Sequence, residues 1–307
     1  MITAVCMNPA FDKTVTVGHL EPGRVNRISH GRVDASGKGV NVAIVAGRLN
    51  LEAQCIGCAG EDGAARFRTM LDEQQVKHAF ITVPGTLRTN LKVVSLDGSG
   101  ITELNEPGAA VEGENLAAFL SLATQAAKHS SMAVINGSLP PGCPEGTYRD
   151  LIRSMGIPCI LDVAGKELLL GLEANPFLIK PNIHELEATL GYAMRGLDDI
   201  VRAARQLMDM GAQNVLISMG GDGAVLVTAE SAYYAPVVPV KVASTVGAGD
   251  SMVGGFLKGL EVSAGDLREA LRWGVACATA SVMTEGTQLI VPEDVYPLLE
   301  RVVIQEV

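Results

Sequence analysis

The sequence predicts an α/β protein built on a mostly parallel sheet with helices on both faces. Three observations predict it. Short apolar runs alternate with longer segments in which apolar residues recur every three and four positions, nearly from end to end. The runs have the continuous apolar character of strands buried on both faces. With 307 residues, of which 48% are hydrophobic and 19% charged, the chain is long enough for a sizeable core and too apolar to be disordered.

Strands are expected over residues 2–7, 54–59, 132–136, 159–162, 177–180 and 214–218, with a further strand-like run at 237–242. Helices are expected over 40–49, 63–75, 114–128, 198–210, 251–260 and 267–283. No internal repeat or low-complexity linker divides the chain, so a single domain over 1–307 is expected. Two stretches, about 12–35 and 86–108, break the alternation with period-two patterns such as Thr14-Val15-Thr16-Val17 and Asn90-Leu91-Lys92-Val93-Val94. They are expected to form a small separate sheet, and segments inserted at one end of an α/β core make natural lids over a cleft.

Lys and Arg number 24 against 34 Asp and Glu, a net charge of −10, which argues against a nucleic-acid partner. An anionic small substrate stays compatible, because a few cations and backbone amides focused in one cleft outweigh a distant, salt-screened surface. No apolar run approaches bilayer length and no basic leader precedes the first apolar stretch, so no membrane partner and a cytoplasmic location are expected. The six cysteines, at 6, 55, 58, 143, 159 and 277, are too scattered for a disulfide framework. Cys55 and Cys58 lie three apart on an expected strand and so point to opposite faces, which makes them core residues rather than a metal pair.

The strongest local signal is Ser244-Thr245-Val246-Gly247-Ala248-Gly249-Asp250-Ser251 at the opening of a helix. A glycine turn leading into a helix suits phosphate, because backbone amides approach closely and the first turn's unpaired N–H groups and dipole attract anions. Asp250 is then placed to act as a general base on an acceptor hydroxyl. On this segment alone a second reading, in which Asp250 or Ser251 caps the helix and the glycines make a tight turn, is equally open. The dinucleotide fingerprint fails at Met252, and the Walker A spacing fails because Gly31 lies one position too far from Gly37-Lys38 and Gly39 replaces Ser or Thr.

Other glycine-rich or strand-ending segments are individually ordinary. Ser36-Gly37-Lys38-Gly39-Val40-Asn41 offers a cation and an amide to a ligand, or is a loop with a solvated lysine. Lys180-Pro181-Asn182-Ile183-His184-Glu185 reads first as a capping box, with Asn182 and Glu185 near magnesium-bound phosphates as the functional alternative. The segment closed by Ser218-Met219-Gly220-Gly221-Asp222-Gly223 is a strand-turn-strand able to frame a nucleotide, and Asn136-Gly137-Ser138-Leu139-Pro140 ends a strand with a hydroxyl free for phosphate.

In this order, and with Asn8-Pro9-Ala10-Phe11-Asp12 and Arg88-Thr89-Asn90 added, the motifs resemble the PfkB (ribokinase-like) carbohydrate kinases over essentially the whole chain, and within them the branch that acts on phosphosugars. Ser244 stands where ribokinases and nucleoside kinases more often have Asp, and Ser36 where the family usually has Gly. The resemblance implies a three-layer fold with a β-sheet lid, often shared between two subunits, so a homodimer through the lid is expected. It implies ATP and magnesium as cofactors and a phosphosugar acceptor: fructose 1-phosphate first, with tagatose 6-phosphate and fructose 6-phosphate as alternatives. By resemblance Asp250 is the base, and Gly247, Ala248 and Gly249 form the anion hole. Asp12, Gly37, Lys38 and Asn41 match sugar-holding positions, and Arg88 and Ser138, with Arg24 or Arg27 from the lid, match those that hold the phosphate already present. Lys180, Asn182 and Glu185 match the phosphate and magnesium region, Glu185 acting through water, while Ser218, Gly220, Gly223 and Thr245 match the nucleotide side. A binding-only sensor is the rival from another class, and a carboxylate beside an anion hole argues against it; a dehydrogenase lacks its fingerprint.

Overall fold

The computed structural model describes residues 1–307 other than Glu285 and Thr287. The chain opens with β1 (Ile2–Cys6), β2 (Ala10–Val17) and β3 (His30–Ser36), followed by α1 (Lys38–Arg48), β4 (Ala53–Gly60), α2 (Glu61–Glu73) and β5 (Lys77–Thr86). It continues through β6 (Thr89–Ser95), β7 (Gly100–Asn105), α3 (Gly113–Ala127), β8 (Met132–Asn136), α4 (Thr147–Met155), β9 (Cys159–Asp162) and α5 (Gly165–Leu172). Then come β10 (Leu178–Ile179), α6 (Ile183–Leu190), α7 (Leu197–Asp209), β11 (Val215–Ser218), β12 (Ala224–Val227) and β13 (Ala232–Ala235). The last elements are α8 (Ala248–Val262), α9 (Leu267–Val282), α10 (Pro292–Leu299) and β14 (Gln305–Glu306).

Ten strands form one sheet in the order β14-β13-β12-β11-β10-β9-β8-β1-β4-β5. All pairings from β5 to β11 are parallel, and β12 to β14 extend one edge antiparallel. Successive strand residues feed two apolar clusters on opposite faces. Val134 packs with α1, α8 and α9, while Ala133 and Ile135 pack with α3, α4 and α7. Cys55 and Cys58 divide between these clusters as their spacing predicts, both buried. Strand order reverses between β1 and β8, so their outgoing connections diverge and leave a crevice at the carboxyl ends of the strands. Around that crevice lie the chain ends of β1, β8, β9 and β10, which lead to Asn8, Asn136, Asp162 and Lys180.

A second, four-stranded sheet has the order β3-β2-β6-β7, with β2 and β6 parallel and the outer pairs antiparallel. Register places Asp12 beside Asn90 and Thr14 beside Lys92 on one face, while Val15, Val17 and Val93 form a small apolar cluster on the other.

Residues 237–242, read from their valines as strand-like, run without regular structure. Pro236 and Pro239 have no N–H to give a ladder, and a chain interrupted this way cannot pair as a central strand. Helices α4 and α5, of nine and eight residues, are too short for their periodicity to stand out. Among the described residues no helix is long and apolar enough to cross a membrane.

Candidate active site

Two helices begin at the crevice without side-chain caps. Gly37 precedes α1 at φ 128°, a conformation that favours glycine, and a Cβ there would lie 2.5 Å from Cys6 Sγ. Gly247 precedes α8 in the left-handed region at φ 78°. Helix α8 starts at Ala248, three residues before the periodicity suggested, so Asp250 lies inside the first turn and does not cap it. Among the described residues the amides of Gly247, Gly249 and Asp250 have no hydrogen-bond partner, and the Ala248 amide makes only a long 3.4 Å bond to the Thr245 carbonyl. Such a turn presents unsatisfied donors and the positive end of a helix dipole to whatever enters.

Asp250 is 6% exposed and accepts a 2.7 Å hydrogen bond at Oδ2 from Asn41 Nδ2, which joins α8 to α1. Burial, helped by Asp162, raises its pKa from 3.8 to about 6 against the pull of Lys38, the Asn41 hydrogen bond and Lys180. A carboxylate poised there is ionised at neutral pH yet basic enough to take a proton.

Asp162, at the end of β9, ties the crevice together. Its Oδ1 lies 3.4 Å from Lys38 Nζ and 3.2 Å from Lys180 Nζ. Burial would raise its carboxyl, but Lys180 and Lys38 outweigh burial and hold it below the ordinary value. Lys38 is shifted upward: burial alone would lower it, and Asp162, Asp250 and Glu185 together prevail. A Cβ on Gly249 would lie 3.3 Å from Lys180 Nζ, so this ammonium sits against the α8 turn. Asp162 is the site residue that the motifs alone do not single out. The available signal is an apolar run ending in an acid, Cys159-Ile160-Leu161-Asp162, at the carboxyl end of a parallel strand.

Arg88 lies on the other side of Asn8. Its Nε and Nη2 donate to the Asn8 carbonyl at 3.2 and 2.8 Å and its Nη1 to the Glu106 carbonyl at 3.3 Å, which leaves two of five N–H groups available. Asn8 Nδ2 donates to the Pro107 carbonyl and to Ser138 Oγ at 3.1 and 3.3 Å. A depression of about 440 Å³ opens here, lined by Asn8, Arg88 and exposed Ser138. Asp12 is buried and acts electrostatically on Arg88. Arg24 and Arg27 are not brought to this group: both are exposed in the loop between β2 and β3, and among the described residues neither side chain has a hydrogen bond or ion pair.

Beyond Gly249 lies a cavity of about 710 Å³ lined by Asn182, Ser218, Gly220, Gly223 and Thr245 among others, with Val237, Val238, Pro239, Val240 and Val242 as part of its wall. The capping box is present: Asn182 Oδ1 accepts from the Glu185 amide at 2.9 Å and Glu185 Oε2 from the Asn182 amide at 2.8 Å. This structural role leaves Glu185 Oε1 over. No group of three or more His, Cys, Asp or Glu among the described residues is arranged to hold a metal alone.

Residues 6–294 match the model of the pfkB family carbohydrate kinases. The chain is 35% identical over 298 residues to the 1-phosphofructokinase of Bacillus subtilis, covering 95% of this chain and 97% of that protein. It is 36% identical over 308 residues to the 1-phosphofructokinase of Rhodobacter capsulatus, covering 99% and 97%. Its fold superimposes on phosphofructokinase-2 from Escherichia coli in complex with substrates and products with a TM-score of 0.90 at 29% identity, over 98% of each chain.

Proposed function

Because the chain belongs to the pfkB family of carbohydrate kinases, we propose that it transfers the γ-phosphoryl group of ATP to fructose 1-phosphate, yielding fructose 1,6-bisphosphate and ADP. One observation carries the catalytic half of this reading: a buried Asp250, held by Asn41 and raised to about pKa 6, beside an uncapped helix turn and the Lys180 ammonium. The names of the relatives support the sugar half.

With Oδ2 engaged by Asn41, Oδ1 of Asp250 takes the proton of the sugar's 6-hydroxyl as its oxygen attacks the γ-phosphorus and the bond to ADP breaks. Charge spreads over the equatorial oxygens of the transferred group. The amides of Gly247, Ala248 and Gly249 and the Lys180 ammonium are set to meet that charge without reorganisation. Asp12, Gly37, Lys38 and Asn41 hold the sugar. Arg88 and Ser138 hold its 1-phosphate, Arg88 through its two uncommitted N–H groups, and Arg24 or Arg27 joins them if the exposed loop folds inward. Ser218, Gly220, Gly223, Thr245 and Asn182 border the nucleotide.

Magnesium fits this donor set. Among the described residues Glu185 engages only Oε2 in its capping box, and Asp162 Oδ2 is buried without a hydrogen-bond partner. A hard cation that keeps several waters and shares phosphate oxygens needs only one or two such carboxylates. When bound, it neutralises charge on the phosphate oxygens. The same reading includes a cytoplasmic setting, where ATP is found and free thiols stay reduced. It also includes a homodimer through the smaller sheet, supported by Val25, Ile28, Leu96, Ile101 and Leu104, which are exposed on that sheet or its loops, and by the open edge of β7.

The deciding experiment measures ADP release from MgATP with fructose 1-phosphate, tagatose 6-phosphate, fructose 6-phosphate, fructose and ribose, using Asp250→Asn as control. The highest kcat/KM is expected for fructose 1-phosphate. A preference for another phosphosugar changes the substrate and keeps the mechanism, whereas a preference for a free sugar removes the Arg88 assignment.

A further inference from the structure

Asp12 does not stand alone in the face of the smaller sheet. Lys92 Nζ donates to its Oδ2 at 2.7 Å and Asn90 Nδ2 to its Oδ1 at 3.0 Å. Lys92 is 7% exposed and Asp12 4%, so the ion pair is buried. The parallel register of β2 and β6 sets Asp12 opposite Asn90 and Thr14 opposite Lys92, which aligns all four side chains on one face. Thr14 Oγ1 and Asn90 Oδ1 are buried there with no hydrogen-bond partner among the described residues. Buried polar atoms in native proteins are nearly always paired, so beside its ion pair this face carries two oxygens whose hydrogen bonds are unmade.

We propose that Lys92 is the positioning residue that makes Asp12 compatible with a phosphorylated sugar, and so sets the preference for a sugar phosphate over a free sugar. The inference rests on the phosphosugar reading above. A carboxylate is a good acceptor for sugar hydroxyls, but an uncompensated one close enough to act on Arg88 repels a dianionic substrate and competes for the guanidinium. Lys92 cancels that charge where salt cannot screen it. With one N–H from Asn90 and one from Lys92, the carboxylate is locked in orientation and still has lone pairs for two hydroxyls. Its neutral partner Asn90 could supply the orientation but not the charge, so the lysine is the part that concerns phosphate.

The test compares the wild type with Lys92→Met, Lys92→Arg and the double variant Asp12→Asn/Lys92→Met, each checked for folding by thermal melting. KM is measured for fructose 1-phosphate and MgATP, and free fructose is followed as substrate or, where turnover is too slow, as competitive inhibitor. Lys92→Met is expected to raise KM for fructose 1-phosphate about tenfold or more, as removing one partner of a buried charge pair does. Free fructose is expected to weaken much less, KM for MgATP to stay within about twofold, and Lys92→Arg to remain near the wild type. The double variant, neutral again and free of an unpaired buried charge, is expected to bind both sugars weakly but to regain preference for the phosphorylated one. Equal weakening of both sugars, or a double variant without that preference, would reduce Lys92 to a structural strut. A wild type that prefers free fructose overturns the phosphosugar reading itself. A wild type that prefers fructose 1-phosphate while Lys92→Met keeps the preference overturns only the role of Lys92.

Discussion

Replacing Asp250 by Asn is expected to make the protein a much slower enzyme and a more stable one at once, with the stability gain dependent on pH. The folded carboxyl is raised from 3.8 to about 6, mainly by burial. At about 1.4 kcal/mol per unit, holding it ionised costs the folded state about 3 kcal/mol, an upper figure for the gain on substitution. The sign follows from linkage: between pH 3.8 and about 6 the folded chain binds a proton that the unfolded chain does not, so this group favours folding at low pH and loses that contribution as pH rises through 6. The amide introduced by Asp250→Asn keeps an acceptor for Asn41 and has no such titration. Urea unfolding of both proteins at several pH values from 4.5 to 7.5 should show the variant's advantage growing toward neutrality and flattening above pH 6.5. In parallel, turnover is expected to fall roughly 10²–10⁴-fold while MgATP still binds, and wild-type kcat/KM should decline as pH falls below about 6. An advantage that is constant with pH, or a variant less stable than the wild type at pH 7.5, would refute the claim that Asp250 is a desolvated, ionised base.

Arg88→Ala is expected to raise KM for the sugar phosphate more than KM for ATP, and equal effects in steady-state kinetics would count against its place at the 1-phosphate. Asp162→Asn removes the negative charge that helps raise Asp250 and leaves Lys38 and Lys180 without their shared partner. The acidic limb of its pH–rate profile should therefore move below 6, and an unmoved limb would show that Asp162 does not act on the base. Replacing Ile101 and Leu104 together by Glu is expected to dissociate the proposed dimer on sedimentation while leaving the melting of the larger sheet's core unchanged; a wild type that sediments as a monomer at micromolar concentration would remove that interface.

What was legible in the sequence is what local backbone demands reveal. Gly247 and Gly37 occupy turns that need positive φ, and Asn182 with Glu185 forms the capping box their spacing describes, so these positions stand out in one dimension. The period-two stretches likewise marked the strands of the second sheet. Asp162 and Lys92 were not legible as site residues because their importance comes from partners far along the chain: Asp162 meets lysines 124 positions before it and 18 after it, and Lys92 meets Asp12 across a strand pairing that spans 80 residues. The valines at 237–242 misled because hydrophobicity alone does not reveal that flanking prolines remove the donors a strand requires.

The division of labour along the crevice has a consequence for how such a protein can change. Every residue assigned to hold the sugar or its phosphate lies at or before Ser138, and every one assigned to the nucleotide, the anion hole or the base lies at or after Lys180. Two polar links join them, Asn41 to Asp250 and Lys38 through Asp162 to Lys180, above an apolar core that α1 shares with α8. Exchanging the segment up to Ser138 for that of a kinase with a different acceptor, while keeping these links, should therefore transplant acceptor choice as a unit and leave ATP handling behind.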